Sequence, residues 1–173
     1  MLAYVFSHRP APGTDSAAYE DLLRRFHSAL AALPPAGFVR SATYRSEDGY
    51  SDWYVLDGSA ALDALNQAAI TGQRSQPHDA VAQMAAQGSG KLMILTSGPP
   101  DLANSFEVRF SKPPGVGYRD LDRMLQPWTS RAGVSMWKRM MVLGPPPEFA
   151  LLTPSALELP FETNPETVAL ELI

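Results

Sequence analysis

One stretch of this sequence occurs twice, and the repetition limits the folds that the chain can adopt. The residues GFVRSATYRSEDGYSDWYVLDGSAAL at 37–62 are matched without a gap by GVSMWKRMMVLGPPPEFALLTPSALE at 133–158. Leu56 and Leu152, for example, occupy equivalent places in the two copies. Each copy has the pattern of a strand, a turn, a second strand and the start of a helix. The repeat therefore predicts two structural units of the same kind within one chain.

The residues around the first copy complete a unit of four strands and two helical regions. Alternating apolar residues predict the strands, and apolar residues at helical spacing predict the helices. The strands are expected at 2–8, 38–45, 52–56 and 91–96, and the helices at about 16–33, from Ser59 to about Ile70, and at 78–86. The order β-α-β-β-α-β is that of a ferredoxin-like unit.

The same order begins again after a linker rich in proline and glycine. Strands are expected at 105–111, 135–143, 149–152 and 167–173, with a helix marked by Tyr118, Leu121, Leu125 and Trp128. Only residues 154–166 remain for the second helical region. Pro160 and Pro165 shorten any helix there, because proline interrupts the hydrogen bonding of a helix interior.

These patterns predict how the chain is divided and how its two units pack. We expect the first unit at 1–97, a linker at 98–103 and a truncated second unit at 104–173. A ferredoxin-like sheet carries helices on one face only, so its other face needs a cover. Two sheets that face each other meet this need. We therefore expect an α+β fold in which tandem ferredoxin-like units form an eight-stranded intramolecular α/β barrel, the second unit having a reduced second helix.

Composition narrows the classes of function. Hydrophobic residues make up 45% of the 173 residues and charged residues 18%, which is typical of a globular protein. A net charge of −4 with scattered basic residues argues against a nucleic-acid partner. The absence of cysteine excludes thiolate chemistry, and three widely separated histidines predict no metal site. We expect no cofactor, no membrane partner, no signal peptide and a cytoplasmic location, with a homo-oligomer left open.

Two short segments carry a resemblance to a known family. The residues WYVL at 53–56 are followed by a helix and then by PHDAV at 77–81, ahead of the last strand of the unit. This arrangement is similar to the antibiotic-biosynthesis-monooxygenase-like group of the dimeric α/β-barrel superfamily. Members of that group commonly have a histidine in the helical segment before the last strand. Its cofactor-free oxygenases and haem degraders resemble one another in using an asparagine, an aromatic residue and a histidine.

The resemblance implies a single site, beneath the helices of the first unit. Asn66, Trp53 and His78 are implied as the catalytic set, with Tyr54 binding the ligand. The implied activity is small-molecule binding with cofactor-independent oxygenation or an isomerase-like reaction. A non-catalytic ligand-binding or assembly protein is one alternative, and a haem-binding protein that uses His78 or His27 is another. An imidazole suits a general base, but His78 at a helix start also suits a surface cap.

Two further groups of polar residues are candidates for ligand binding. His8 and Arg9 end the first strand beside a loop, where sites are often built. The second group is expected on the sheet face opposite the helices of the second unit and consists of Glu107, Arg109, Arg139 and Glu171. Charges of both signs on one face can neutralise each other or bind a polar ligand in the barrel interior. His27 follows the apolar Phe26 and is expected to face solvent.

Overall fold

The computed structural model describes residues 1–159 and 165–173, apart from the side chain of residue 73. The first unit consists of β1 (Leu2–Pro10), α1 (Ser16–Ala32), β2 (Phe38–Ser46), β3 (Gly49–Leu56), α2 (Ala61–Ala69), α3 (Ser75–Met84) and β4 (Ala85–Ser97). A short 3-10 turn, Gly72–Arg74, joins α2 to α3. The second unit consists of β5 (Phe106–Phe110), α4 (Tyr118–Thr129), β6 (Ser135–Arg139), β7 (Phe149–Thr153), β8 (Glu166–Ala169) and β9 (Glu171–Leu172).

All these strands belong to one sheet, in the order β8-β5-β7-β6-β4-β1-β3-β2-β9, and every described pair is antiparallel. Each unit keeps the ferredoxin-like strand order, and β4 pairs with β6 to join the units. Only Leu170 separates β8 from β9, which pairs with β2 at the opposite end of the strand order. The sheet is therefore nearly closed. The α+β barrel within one chain is confirmed, with nine strands because the last one is broken.

The barrel interior is an apolar core that both units build. Trp53 from β3 and Trp137 from β6 are fully buried, with ring centroids 5.5 Å apart and ring planes at 71°. Smaller residues such as Val55, Met93 and Leu152 fill the space around them. An edge-to-face contact between large aromatic rings adds to the stabilisation from burial. The interior is thus mainly a packed core.

The helices cover the outer face of the sheet, and α1 shows why they begin and end where they do. The Asp15 side chain accepts a hydrogen bond of 2.8 Å from the Ala18 backbone N–H, which caps the helix. Ser59, in contrast, does not cap α2, since that helix begins after Ala60 without a side-chain cap. None of the helices that the structure describes is long and apolar enough to cross a membrane.

Three boundaries in the first unit differ from those expected by three residues or more, and the first of them is the start of β3, at Gly49 rather than Asp52. Helix α3 begins at Ser75 rather than at His78, and β4 begins at Ala85 rather than at Lys91, so that it includes Gly88, Ser89 and Gly90. A Cβ on Gly88 would lie 2.5 Å from Cζ of Phe6, and one on Gly90 would lie 2.6 Å from the Tyr4 hydroxyl. The two glycines therefore let the aromatic rings of β1 pack directly against β4.

The second unit departs from the repeat after β7. The described residues 154–159 contain no helix, and the predicted effect of Pro160 falls on residues 160–164, outside the described part of the chain. Strand β6 ends at Arg139, so the predicted extension to residue 143 is wrong. Met141 there has a φ of 54°, which is incompatible with a continuing strand.

Candidate functional site

A cavity of about 580 Å³ lies between the outer face of the sheet and the helices α2 and α3. Its wall is mostly apolar and aromatic, with Tyr4, Phe6, Phe26, Tyr54, Leu65 and Val81 among the lining residues. Four polar side chains join them: Asp52, Asp63, Asn66 and His78. A concave apolar wall with a few polar groups is the usual form of a small-molecule site.

Strand alternation decides which predicted residues reach this cavity. Side chains along β3 point alternately to the two faces of the sheet, so Asp52 and Tyr54 face the helices while Trp53 faces the barrel interior. Tyr54, Asn66 and His78 therefore all line this cavity, Tyr54 from the sheet and the other two from the helices. The placement of Trp53 in this pocket is wrong, because its neighbour Tyr54 occupies the outer face.

His78 lies on α3 with one ring nitrogen already bound. Its Nδ1 is 3.0 Å from Oδ1 of Asp79, and its ring packs edge-on against Phe26 with centroids 5.5 Å apart. The bond to the carboxylate favours the tautomer with a proton on Nδ1, which leaves Nε2 able to accept one. About a third of the side chain is exposed (33%). His78 is therefore a cavity residue with an orienting partner, not a helix cap.

Asn66 reaches the same cavity from α2. Asp63 lies three residues earlier on that helix and also lines the cavity, as residues at this spacing share a helix face. The amide of Asn66 offers both a donor and an acceptor. A ligand in the cavity would therefore meet an amide, an imidazole and aromatic rings.

A buried carboxylate beneath this wall escaped the sequence reasoning. Asp52 is only 3% exposed and has contacts from three elements. Its Oδ2 lies 3.3 Å from Nε2 of His8, on β1, and its Oδ1 lies 3.3 Å from Nε2 of His27, on α1. The hydroxyl of Thr43 donates to Oδ1 at 2.6 Å, and that of Tyr54 donates to Oδ2 at 3.1 Å. The sequence feature that could have indicated this cluster is an acidic residue, Asp52, at a buried position of a predicted strand.

The environment of Asp52 sets the protonation of the whole cluster. Burial acts to raise the pKa of Asp52, but hydrogen bonds from His27 and His8 outweigh it and hold this pKa well below its usual range. Burial and the nearby Asp52 charge raise the pKa of Tyr54 well above its usual value. The cluster therefore contains an ionised carboxylate and a neutral phenol that donates to it.

The two histidines of this cluster are not where the sequence suggested. His27 does not face solvent: its side chain is 12% exposed, and its Nδ1 is 2.7 Å from the Ser41 hydroxyl oxygen. His8 is buried, with Nδ1 2.7 Å from the Tyr19 hydroxyl oxygen. Arg9 is exposed and donates to the Asp48 carbonyl at 2.8 Å. Neither His8 nor Arg9 lines the cavity, and a ligand-binding role for them stays a prediction.

The charged residues of the second unit lie elsewhere: Glu107, Arg109 and Arg139 are grouped around Lys91, whereas Glu171 is not. Arg109 donates from Nε to Glu107 at 2.9 Å, and its Nη1 is 2.6 Å from an oxygen of Asp48, so the predicted pairing of charges is present. Arg139 donates instead to the carbonyl of Gly144 at 2.9 Å. Glu171 is on the outer surface, paired with Arg45 at 2.6 Å. Its predicted place beside Glu107 is wrong, because the strand is broken at Leu170.

Comparison with known proteins gives structural likenesses only. No protein-family model and no curated protein matches the sequence. Among solved structures, an anthrone oxidase-like protein matches with a TM-score of 0.61 and 10% identity, over 99% of this chain and 90% of its own. The chain has the dimeric α/β-barrel fold. A chlorite dismutase-like protein matches with a TM-score of 0.58 and 15% identity, over 99% of this chain and 94% of its own. A monooxygenase-like protein from Lactobacillus acidophilus matches with a TM-score of 0.56 and 12% identity, over 98% of this chain and 75% of its own.

The residues around this cavity fit haem only in part: Nε2 of His78 is free to serve as an axial ligand, but the propionates find no cation on the described wall, and haem binding stays a prediction. A haem carries two anionic propionates, but the cavity wall in the described part of the chain contains two carboxylates, Asp52 and Asp63, and no lysine or arginine. His27, one of the two histidines considered as an axial ligand, has its ring nitrogens against Ser41 and Asp52. The cavity thus lies outside the packed barrel interior, beneath α2 and α3, and its wall is mostly apolar with two carboxylates.

Proposed function

We propose that the cavity beneath α2 and α3 binds a flat aromatic molecule and that the protein catalyses its oxygenation without a cofactor. The observation that carries this proposal is the position of the His78–Asp79 pair on the wall of an aromatic cavity of about 580 Å³. Asn66 lies on the same wall. The names of two structural neighbours, anthrone oxidase-like and monooxygenase-like, support this class of reaction.

The residues suggest a division of roles. Nε2 of His78 would accept a proton from an acidic C–H of the substrate, with Asp79 stabilising the imidazolium that forms. The amide of Asn66 would donate to the substrate oxygen that takes up the negative charge. The resulting electron-rich anion would react with molecular oxygen. A methylene group and O₂ give a carbonyl group and water, so the electrons balance and no external reductant is needed.

Loss of the base should be the main kinetic defect in variants of this site. We expect His78→Ala to lower kcat/KM by about 1,000-fold and Asn66→Ala by about 100-fold, as the loss of a general base and of an oxyanion donor usually does. Oxygen consumption with anthrone-type hydroxyaromatic compounds measures both. Gln83→Ala on α3 and Gln67→Ala on α2 are matched controls, because both side chains are exposed and lie outside the cavity.

Binding and turnover separate this proposal from its alternative. Quenching of intrinsic fluorescence would report occupancy of the cavity by the same compounds under nitrogen. Suppose that the parent protein binds these compounds more tightly than the Asn66 variant does but takes up no oxygen. That result would overturn the enzymatic part of the proposal and support a ligand-binding protein. Oxygen uptake that is equal in the parent and in His78→Ala would remove the assigned base.

Activity should not depend on self-association. The described cavity wall and the Asp52 cluster come from one chain, and the barrel is formed within that chain. We therefore expect specific activity to stay constant as the protein is diluted, whatever its oligomeric state. Activity assays and sedimentation over the same range of concentration would check this expectation, and a loss of activity that follows dissociation would contradict it.

A further inference from the structure

A second cavity, of about 300 Å³, lies at the mouth of the barrel. It is on the opposite side of the sheet from the proposed active site and is lined by residues of both units. Val5 marks its contact with the apolar interior, and Pro145, Pro146 and Pro147 form part of its wall. The remaining lining residues are polar or charged, which is unusual for a space against a hydrophobic core.

Lys91 is the residue in this cavity that the fold leaves unexplained. It is on β4, opposite Val5, and only 9% of it is exposed. No residue in the described part of the chain forms a hydrogen bond or an ion pair with its ammonium group. A lysine side chain this deeply buried is costly unless anions lie near its ammonium group, and the charge of Glu107 acts on Lys91 without forming an ion pair with it.

The other polar groups of the cavity indicate what kind of anion would fit. Arg109 is already paired with Glu107, Asp48 and Glu166, so it does not compete for a ligand. Those three carboxylates, all on the cavity wall, disfavour a multiply charged anion such as phosphate. The hydroxyls of three serines also line the cavity and have no hydrogen-bond partner within residues 1–159 and 165–173: Ser7, Ser51 and Ser89.

We propose that the mouth of the barrel is a second ligand site, which binds a small hydroxylated monocarboxylate with its carboxylate paired to Lys91. The serine hydroxyls would bind the hydroxyl groups of the same molecule. The cavity is about half the volume of the one beneath α2 and α3 and is lined mainly by polar groups, which suits a small polar molecule better than a flat aromatic one. This site does not involve His78 or Asn66, so its test is independent of the proposed function.

Binding at this site should be linked to protonation. Burial lowers the pKa of Lys91, while the charge of Glu107 opposes this and the charges of Arg109 and Arg139 add to it. A bound carboxylate favours the charged amine, so binding should take up protons and weaken as the pH rises. Calorimetric titration in buffers of different ionisation enthalpy measures this uptake in the unaltered protein.

The direct test uses L-lactate as the probe and glycerol as an uncharged control. In ¹H–¹⁵N spectra, lactate should cause saturable shifts of amides near Lys91, and Lys91→Met should weaken this binding at least tenfold. Lys138→Met is the matched control, because Lys138 lies over the Tyr118 ring at 3.3 Å, on the other face of the sheet. The Met variant should fold, since it replaces a buried charge with an apolar chain of similar length.

Three results would overturn the proposal. They are equal lactate affinity in the parent and Lys91→Met, equal responses to lactate and glycerol, and binding without proton uptake. Tighter binding of lactate than of glycerol, lost in Lys91→Met and kept in Lys138→Met, supports it.

Discussion

Replacement of Asp52 by alanine is expected to reduce the free energy of unfolding by about 3–5 kcal/mol, the usual cost of removing one partner of a buried charge cluster. The carboxylate is the shared partner of His8 and His27, and it accepts hydrogen bonds from Thr43 and Tyr54. Without it, two imidazoles and two hydroxyls lose an acceptor in a part of the protein that water barely reaches. Urea unfolding at neutral pH measures the loss.

The same residue should give the stability a characteristic dependence on pH. The folded-state pKa of Asp52 is lower than that of an unfolded aspartate, about 3.9. Its contribution is therefore complete above pH 5, begins to fall as the pH drops towards 4, and continues to fall below that value. The difference in stability between the parent and Asp52→Ala should accordingly narrow on acidification.

Two further variants make this prediction specific. Asp52→Asn keeps an acceptor for Thr43 but loses the charge, so its loss of stability should be smaller than that of the alanine variant. Asp122→Ala is the control, since Asp122 is exposed on α4. A difference between Asp52→Ala and the parent that stays constant from pH 7 to pH 3 would contradict the role assigned to the ionised carboxylate.

Replacement of Trp53 by alanine should also cost about 3–5 kcal/mol, as is usual for large aromatic residues in a core. The side chain is fully buried and packs edge-to-face on Trp137 from the other unit. The variant would leave a cavity at the centre of the barrel, where both units contribute and neither can readily collapse into the space. Denaturant titration followed by circular dichroism gives the change in stability.

A more conservative substitution at the same position tests the location of the ligand. Trp53→Phe keeps most of the core volume and should retain the aromatic-ligand affinity of the parent, because position 53 faces away from the cavity. Trp128→Ala, on α4, is a control for the general effect of losing a partly buried tryptophan. A large loss of affinity in Trp53→Phe without a matching loss of stability would place the ligand inside the barrel instead.

Much of this architecture follows from local patterns in the sequence. The repeat predicted two units, and alternation together with helical spacing predicted the order of their elements. Alternation also implies that Trp53 and Tyr54 cannot line the same pocket, an implication that the resemblance to a known family obscured. Asn66 and His78 were predicted for one site, and both line the cavity beneath α2 and α3.

The sequence by itself determined the two-unit order and the apolar faces of its strands and helices, because those depend on periods of two and about 3.6 residues. Only the tertiary structure decided that Asp52 meets His8 and His27, since these residues lie on β3, β1 and α1. Their meeting depends on strand register and on the rotation of a helix over the sheet, which residue spacing does not specify. The burial of Lys91 at the barrel mouth has the same origin: it requires both units to be packed together.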